Sequence, residues 1–474
     1  MTDISADKSI SAPASGQSFE SFGYRTYVLL TLTVVYTFNF IDRILISVVG
    51  GPIIEEFSLT NFQFGILSGI GFALFYTLLG IPIASYSERA SRVRIIGVCV
   101  ILWSIATVLC GFTTGFVTLL VARLLVGVGE AGCTPPANSL ISDYYKPIAR
   151  PTALGIYAMG VTAGGLLAQL FGGSILQFFT WREAFIYVGA PGILLGIIVL
   201  TTIKEPPRGF SDPPTAKKPE RASFMDALGE ITSKPTFWIM SVGATLAAFA
   251  GYALVGFQPL FVQYVHGYSA GETAIQFMAP VALAGTFGAF LGGYLTQQAN
   301  KFSSTAACWV PGVAFLFCAP IYFSSFFVAA PVMMLVLLML ANMFQYMYLG
   351  AQYNIAQAVV SLRARATSIA FLLFIVNLIG YGVGPPTFGA IADHFTNISI
   401  AGSDFAGQLD ASCSLRDPSL DAALLEACRE AKAFGVQRAN AGATLLFALA
   451  GVFFLLAGRT FMGDTQVSTK EEAA

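Results

Sequence analysis

Hydrophobic residues in this chain come in long unbroken runs rather than in the spaced pattern of half-buried elements. Twelve stretches long enough for a helix to cross a bilayer, ~20 residues or more, follow one another: 27–50, 62–86, 93–113, 116–140, 150–177 and 183–203, then 236–264, 271–297, 304–326, 331–358, 366–392 and 434–459. The short alternating segments that would build a membrane barrel are not seen. The pattern predicts an all-α integral membrane protein with twelve transmembrane helices. Polar stretches punctuate it. Residues 1–22 are Ser-rich, have no apolar signal-peptide core and read as a disordered tail. Residues 205–235 divide the spans six and six, giving bundles over 23–204 and 236–460. Inside this linker Phe224, Leu228 and Ile231 share one helical face, which predicts an amphipathic helix lying on the membrane surface. Residues 393–433 read as one long loop between the last two spans, and 461–474 as a second tail.

Lysine and arginine set the orientation. Of the 25, 18 fall on the side of the two chain ends and 5 on the other: Arg182, Arg416, Arg429, Lys432 and Arg438. Both termini and the 205–235 linker are therefore expected in the cytoplasm. The 393–433 loop then faces an oxidising compartment, where Cys413 and Cys428 can pair as a disulfide. The other five cysteines lie within spans and read as buried thiols.

Composition narrows the function. The chain is 55% hydrophobic and 11% charged, with mean hydropathy +0.71, against roughly 25% charged in soluble domains. A net charge of −1 leaves no footprint for nucleic acid. No CxxC pair, HExxH or Walker sequence occurs, and the two histidines are His266 and His394. Neither an enzyme nor a resident cofactor or metal is expected.

Two of the 25 basic residues remain, and they lie inside spans: Arg43, beside Asp42 in the run NFIDR, and Arg123, seven residues before Glu130. A charge in lipid costs at least ~2.5–3.5 kcal/mol and marks a function or a pairing. Arg123 and Glu130 sit ~10 Å apart on one face of span 4. Span 1 runs outward and span 4 inward, so Asp42 and Arg123 reach similar depths and an Asp42–Arg123 contact is expected, with Arg43 and Glu130 facing the same cavity. A carboxylate whose partner changes between conformations can take and release a proton. Glu130, less fully paired, is the first candidate for that role and Asp42 the second. Either arginine could instead hold a phosphate or carboxylate head group, or the four could simply tie spans 1 and 4 together. The second half carries no such charges. Its spans 10 and 11 offer Gln345, Tyr346, Gln352, Tyr353, Asn354, Gln357 and Asn377 among many aromatic residues. Gln345, Tyr353, Asn354 and Asn377 are the candidate substrate-cavity residues, on a wall greasy enough for an acyl chain.

The halves echo each other. ASYSERASRVR after span 2 matches GYLTQQANKF after span 8, and ARPTALGIY after span 4 matches ARATSIAFL after span 10. An even number of intervening spans makes this a parallel repeat, one of the known transporter plans. Here the sequence resembles the major facilitator superfamily. The loop pattern G-x-L-x-D-R-x-G-R-R is approached by Ala84, Tyr86, Glu88, Arg89, Ser91, Arg92 and Arg94, with both glycines and the aspartate replaced. The span-4 pattern R-x-x-x-G-x-G appears as Arg123, Gly127 and Gly129, and the span-5 glycine pattern appears with Ala168-Gln169 where Gly-Pro is usual. Within that superfamily NFIDR, RLLVGVGEAGCTPPANSLISDYY and KEPPRG resemble the Spinster family of lipid transporters, as a bacterial member; sialin-like and other organic-anion transporters share parts of these patterns.

The resemblance implies two six-helix bundles in the major facilitator fold, resident as a monomer in the bacterial inner membrane. It implies a secondary transporter moving a lysolipid or sphingolipid-like amphiphile among membrane lipids, coupled to protons, with an organic-anion or other small-molecule symporter or antiporter as the alternative. It further implies a cytoplasmic gate made by Glu88, Arg89, Arg92 and Arg94, which contact span 11 while the transporter is open outward, joined by Asp143 and Arg150; positive-inside anchoring is the other account of these residues.

Overall fold

The protein is described here from a computed structural model in which residues 19, 21–87, 89–146, 149–211, 224–361, 364–415, 417 and 420–473 are described. Twelve helices are long and apolar enough to cross a membrane: Phe22–Val48, Asn61–Gly80, Arg92–Cys110, Phe116–Tyr144, Thr152–Phe178, Trp181–Thr202, Pro235–His266, Ala270–Ala299, Ala306–Ser325, Pro331–Ala358, Thr367–Ala401 and Ala422–Thr465. They are spans 1 to 12 below. Among the described residues there is no strand. The apolar runs explain this: where water cannot solvate the backbone, a helix satisfies every peptide group internally.

Local chemistry sets the ends. Span 2 starts at a capping box of Thr60 and Gln63, span 6 at one of Thr180 and Glu183, and span 3 at Ser91, whose hydroxyl accepts from the amide of Arg94. Within each half, span 1 packs on span 5 and span 3 on span 6, then span 7 on span 12 and span 8 on span 10. Spans 8 and 11 each contain a π-helical turn, Thr273–Met278 and Val376–Tyr381; such turns often mark functional positions.

The halves meet along spans 2 and 11 and along spans 5 and 8. Their closest approaches lie on the side away from the linker, here the far side. Asp393 of span 11 accepts from the amides of Asn61 and Phe62, both at 2.8 Å, at the start of span 2. Glu55, after span 1, bonds groups of spans 7 and 12. Between described residues, no hydrogen bond or ion pair joins the linker-side ends of the two bundles directly. The described hydrogen bonds between the bundles concentrate at the far side.

Three expectations are corrected. The 393–433 loop is shorter, because span 11 stays helical to Ala401 and the last helix begins at Ala422. The apolar runs end earlier, but hydropathy reports contact with lipid and not helicity. For the same reason the 461–474 tail continues the last helix as far as Ala473. The linker helix Phe224–Thr232 does form, but part of its expected face rests on protein: Ile231 is buried and Leu228 half-buried, the helix packs on Arg365–Ile375, and Glu230 accepts from the Ser361 amide and hydroxyl. Residues 1–18 of the expected disordered tail and 212–223 of the linker lie outside the described residues. Cys413 and Cys428 form a disulfide.

Candidate functional site

The four intramembrane charges form two ion pairs. Arg123 Nη1 lies 3.3 Å from Asp42 Oδ1, and the Thr107 hydroxyl of span 3 donates to Asp42 Oδ2. Arg43 Nε donates to Glu130 Oε2 at 2.7 Å. Each pair joins span 1 to span 4. The two carboxylates are held differently. Both oxygens of Asp42 are engaged, whereas Glu130 Oε1 has no hydrogen-bond partner.

Aromatic rings seal the cluster. The Arg43 guanidinium lies 4.2 Å from the ring centroid of Tyr76, 4.8 Å from that of Phe72 and 5.0 Å from that of Phe40; Arg123 lies 5.6 Å from Phe72. Cation–π contacts of this kind partly replace lost hydration. The expectation that the cluster as a whole faces a cavity needs correcting. Arg123 and Glu130 are 0% exposed and Asp42 2%, while Arg43 is 9% exposed and lines a small cavity that the other three do not line. The other lining residues are Phe40, Ile44, Ser47, Ser68, Tyr252, Val255 and Tyr381. They come from spans 1, 2, 7 and 11, so the cavity lies between the halves. Tyr381, delivered by the π-turn of span 11, stacks on Tyr252 at 4.3 Å and packs on Phe72 at 5.6 Å. A continuous aromatic contact thus runs from the charges of one bundle to the wall of the other.

The candidate cavity residues of the second half separate. Gln345 is buried beside Gly251 of span 7 and its Oε1 has no hydrogen-bond partner. Tyr353 lies within electrostatic reach of Tyr36, Tyr76 and Tyr252. Asn377 sits in the span-11 π-turn and Asn354 is exposed. None of the four lines the cavity beside Arg43. The tyrosines that do approach it were not distinguishable in a chain with 18 of them.

At the linker side Arg92 does not reach span 11. It pairs with Asp143 and with Glu205, the latter at 2.7 Å, and donates to Ser139 and to the carbonyl of Pro206. Gly209 donates to Asp143, and Arg208 donates to the carbonyls of Ser87, the last residue of the helix that continues span 2, and of Ala90 in the turn after it. The KEPPRG run is therefore a strap fastened across spans 2, 3 and 4. Burial pushes the Glu205 carboxyl up, but hydrogen bonds from Val93, Arg92 and Ser91 outweigh it and hold it below the usual carboxylate range. Arg150 donates to the carbonyls of Ser142 and Tyr145, a cation at a helix C-terminus. Arg89 and Arg94 line an outer groove with Tyr86 and Ser91, and Glu88 lies outside the described residues. Arg92→Met should lower stability by about 3–5 kcal/mol, because it strands the buried Asp143 carboxylate; thermal unfolding in detergent measures it, and Arg92→Lys should recover part of the loss.

The comparisons with known proteins agree with this geometry. The family model described as Major Facilitator Superfamily matches residues 32–385. A solved bacterial homolog of the human lysosomal transporter Spinster, in an inward-facing and unoccupied conformation, is 42% identical with TM-score 0.84, covering 94% of this chain and 99% of that one. Spinster homolog 1 of Rattus norvegicus is 24% identical over 79% of this chain and 74% of its own. An MFS-type efflux pump of Mycolicibacterium smegmatis is 27% identical over 77% of this chain and 84% of its own. By its fold, by the family model and by its likeness to that solved transporter, the chain belongs to the Major Facilitator Superfamily and, within it, to the Spinster family.

Proposed function

We propose that the protein works by alternating access in a bacterial cytoplasmic membrane, with its linker side in the cytoplasm, and moves a lysolipid or sphingolipid-like amphiphile coupled to protons. The distribution of Lys and Arg supports the orientation. One observation supports the substrate class: where the halves meet, a small cavity with room for about one water molecule is lined by a single guanidinium, Arg43, on an otherwise aromatic and aliphatic wall with two serines, a lining that a lipid would meet only once the halves move apart. A single-chain lipid has that polarity, an anionic or zwitterionic head and an apolar tail. Arg43 is shared between this cavity and Glu130. When Glu130 is ionised it holds Arg43 Nε; when it is protonated the guanidinium is released to a phosphate. Proton uptake by Glu130 and capture of a head group by Arg43 therefore favour one another.

A thermal-shift panel tests the substrate class. Lysophospholipids should raise the unfolding temperature of the purified protein with a shift that grows logarithmically with concentration above Kd, and Arg43→Gln should remove that shift. A shift produced equally by phosphate-free detergents of the same chain length would overturn the head-group reading. The relation to an efflux pump favours a second reading, a broader range of amphiphiles, and the same panel would show it as shifts by amphiphiles of unrelated head group.

A further inference from the structure

The short helix Gly50–Phe57 after span 1 carries two adjacent carboxylates. Glu56 accepts from Trp181 Nε1 at 2.6 Å and pairs with Arg182, both of its own bundle. Glu55 crosses to the other bundle. It accepts from the Tyr264 hydroxyl of span 7 at 3.1 Å, from Lys432 Nζ of the last helix at 3.1 Å, from the Ser414 hydroxyl at 3.0 Å and from the Leu415 amide at 2.5 Å. Four donors from three elements converge on one carboxylate. The Glu55 and Lys432 side chains are 10% and 2% exposed, so little water reaches the pair.

Three of those donors belong to one braced unit. Cys413 immediately precedes Ser414 and Leu415, and it is bonded to Cys428. Cys428 lies four residues before Lys432 in the same helix, on the same face. The disulfide thus ties the loop donors to the helix donor and presents both to Glu55. A free loop would have to lose its conformational freedom each time the contact closed.

We propose that Glu55 is the latch of the far-side gate and that the Cys413–Cys428 disulfide sets its strength, so that reducing the disulfide shifts the transporter toward its far-side-open state. This rests on the alternating-access reading and on the far side facing an oxidising compartment. Reduction takes two electrons and two protons from a dithiol, which becomes a disulfide itself, and leaves two thiols on the protein.

Far-side opening can be read by single-molecule energy transfer in nanodiscs. Maleimide dyes at Phe112→Cys and Val332→Cys, exposed on opposite bundles, are attached after the five free cysteines are replaced. Glu55→Gln, Cys413→Ser with Cys428→Ser, and phosphine-reduced protein that keeps Cys413 and Cys428 should each raise the far-side-open fraction roughly tenfold, the effect of losing about one charge-assisted hydrogen bond. Reduction should add nothing to the double serine variant. If Glu55→Gln does not elute as a folded monomer, Lys432→Met takes its place; if the serine pair does not fold, the reduced protein is the arm that counts. An open fraction unmoved by the latch variants and by reduction overturns the proposal. A far-side distance that never alternates, even with Gly65→Val, would instead overturn the alternating-access reading.

Discussion

Glu130→Gln is expected to leave the protein folded and transporting but deaf to a pH gradient. In reconstituted liposomes, wild-type accumulation driven by one coupled proton changes about tenfold per pH unit of gradient; the variant's should not change at all. The reason is local. Glutamine keeps an acceptor for Arg43 Nε, 2.7 Å from Glu130 Oε2, and places its amide where Glu130 Oε1 has no partner. Asp42→Asn should fail differently. Asp42 is held at one oxygen by Thr107 and at the other by Arg123, so an asparagine must turn its amide group toward one of two donors and leaves the charge of a fully buried guanidinium uncompensated. Breaking a buried pair in this way costs about 3–5 kcal/mol, and the result expected is a lowered unfolding temperature. If both variants fold and both keep the wild-type response to pH, proton coupling through this cluster is wrong.

The contrast between these carboxylates also shows how much of the site is legible in the amino-acid sequence. The bilayer imposes a length on every helix that crosses it, so twelve apolar runs become twelve spans. Charges stand out against such runs, which makes Asp42, Arg43, Arg123 and Glu130 conspicuous from sequence alone. Depth along the helices is enough to pair Asp42 with Arg123. It cannot show that Phe72 and Tyr76 cover the cluster and leave only Arg43 at the cavity, because 41 phenylalanines and 18 tyrosines give no reason to single out two. The far-side contacts are hidden for the opposite reason. Glu55, Asp393 and Lys432 lie near span ends, where charge is cheap and draws no attention. Asp393 reads as an interfacial residue closing span 11; it instead binds the first two amides of span 2, far away in the chain. Helix beyond the lipid, as in residues 393–401 and 422–433, also leaves no mark in hydropathy.

The closeness of spans 2 and 11 leads to the largest mechanical effect. A Cβ built on Gly65 would sit 2.4 Å from the carbonyl oxygen of Pro385 and 2.7 Å from the Pro386 Cα; one on Gly389 would sit 2.2 Å from the carbonyl oxygen of Asn61. These neighbours are backbone and cannot swing aside as a side-chain tip would. The far side closes only because both helices carry glycine where they touch. Gly65→Val should therefore disfavour the closed far side by about 1–3 kcal/mol or more, the usual penalty of overpacking, and hold the transporter open there. Because the clash exists only in the closed state, the variant should fold with an unfolding temperature near wild type while net transport in liposomes falls by roughly tenfold or more, a factor of ten for each 1.4 kcal/mol of shifted equilibrium. Gly389→Val should act alike, since it meets the same interface from the other bundle. Gly293→Ala, whose Cβ would meet nothing within 4 Å, should transport normally. Wild-type rates in both valine variants would mean that this glycine contact does not need to form during the cycle, and that the far-side gate closes elsewhere.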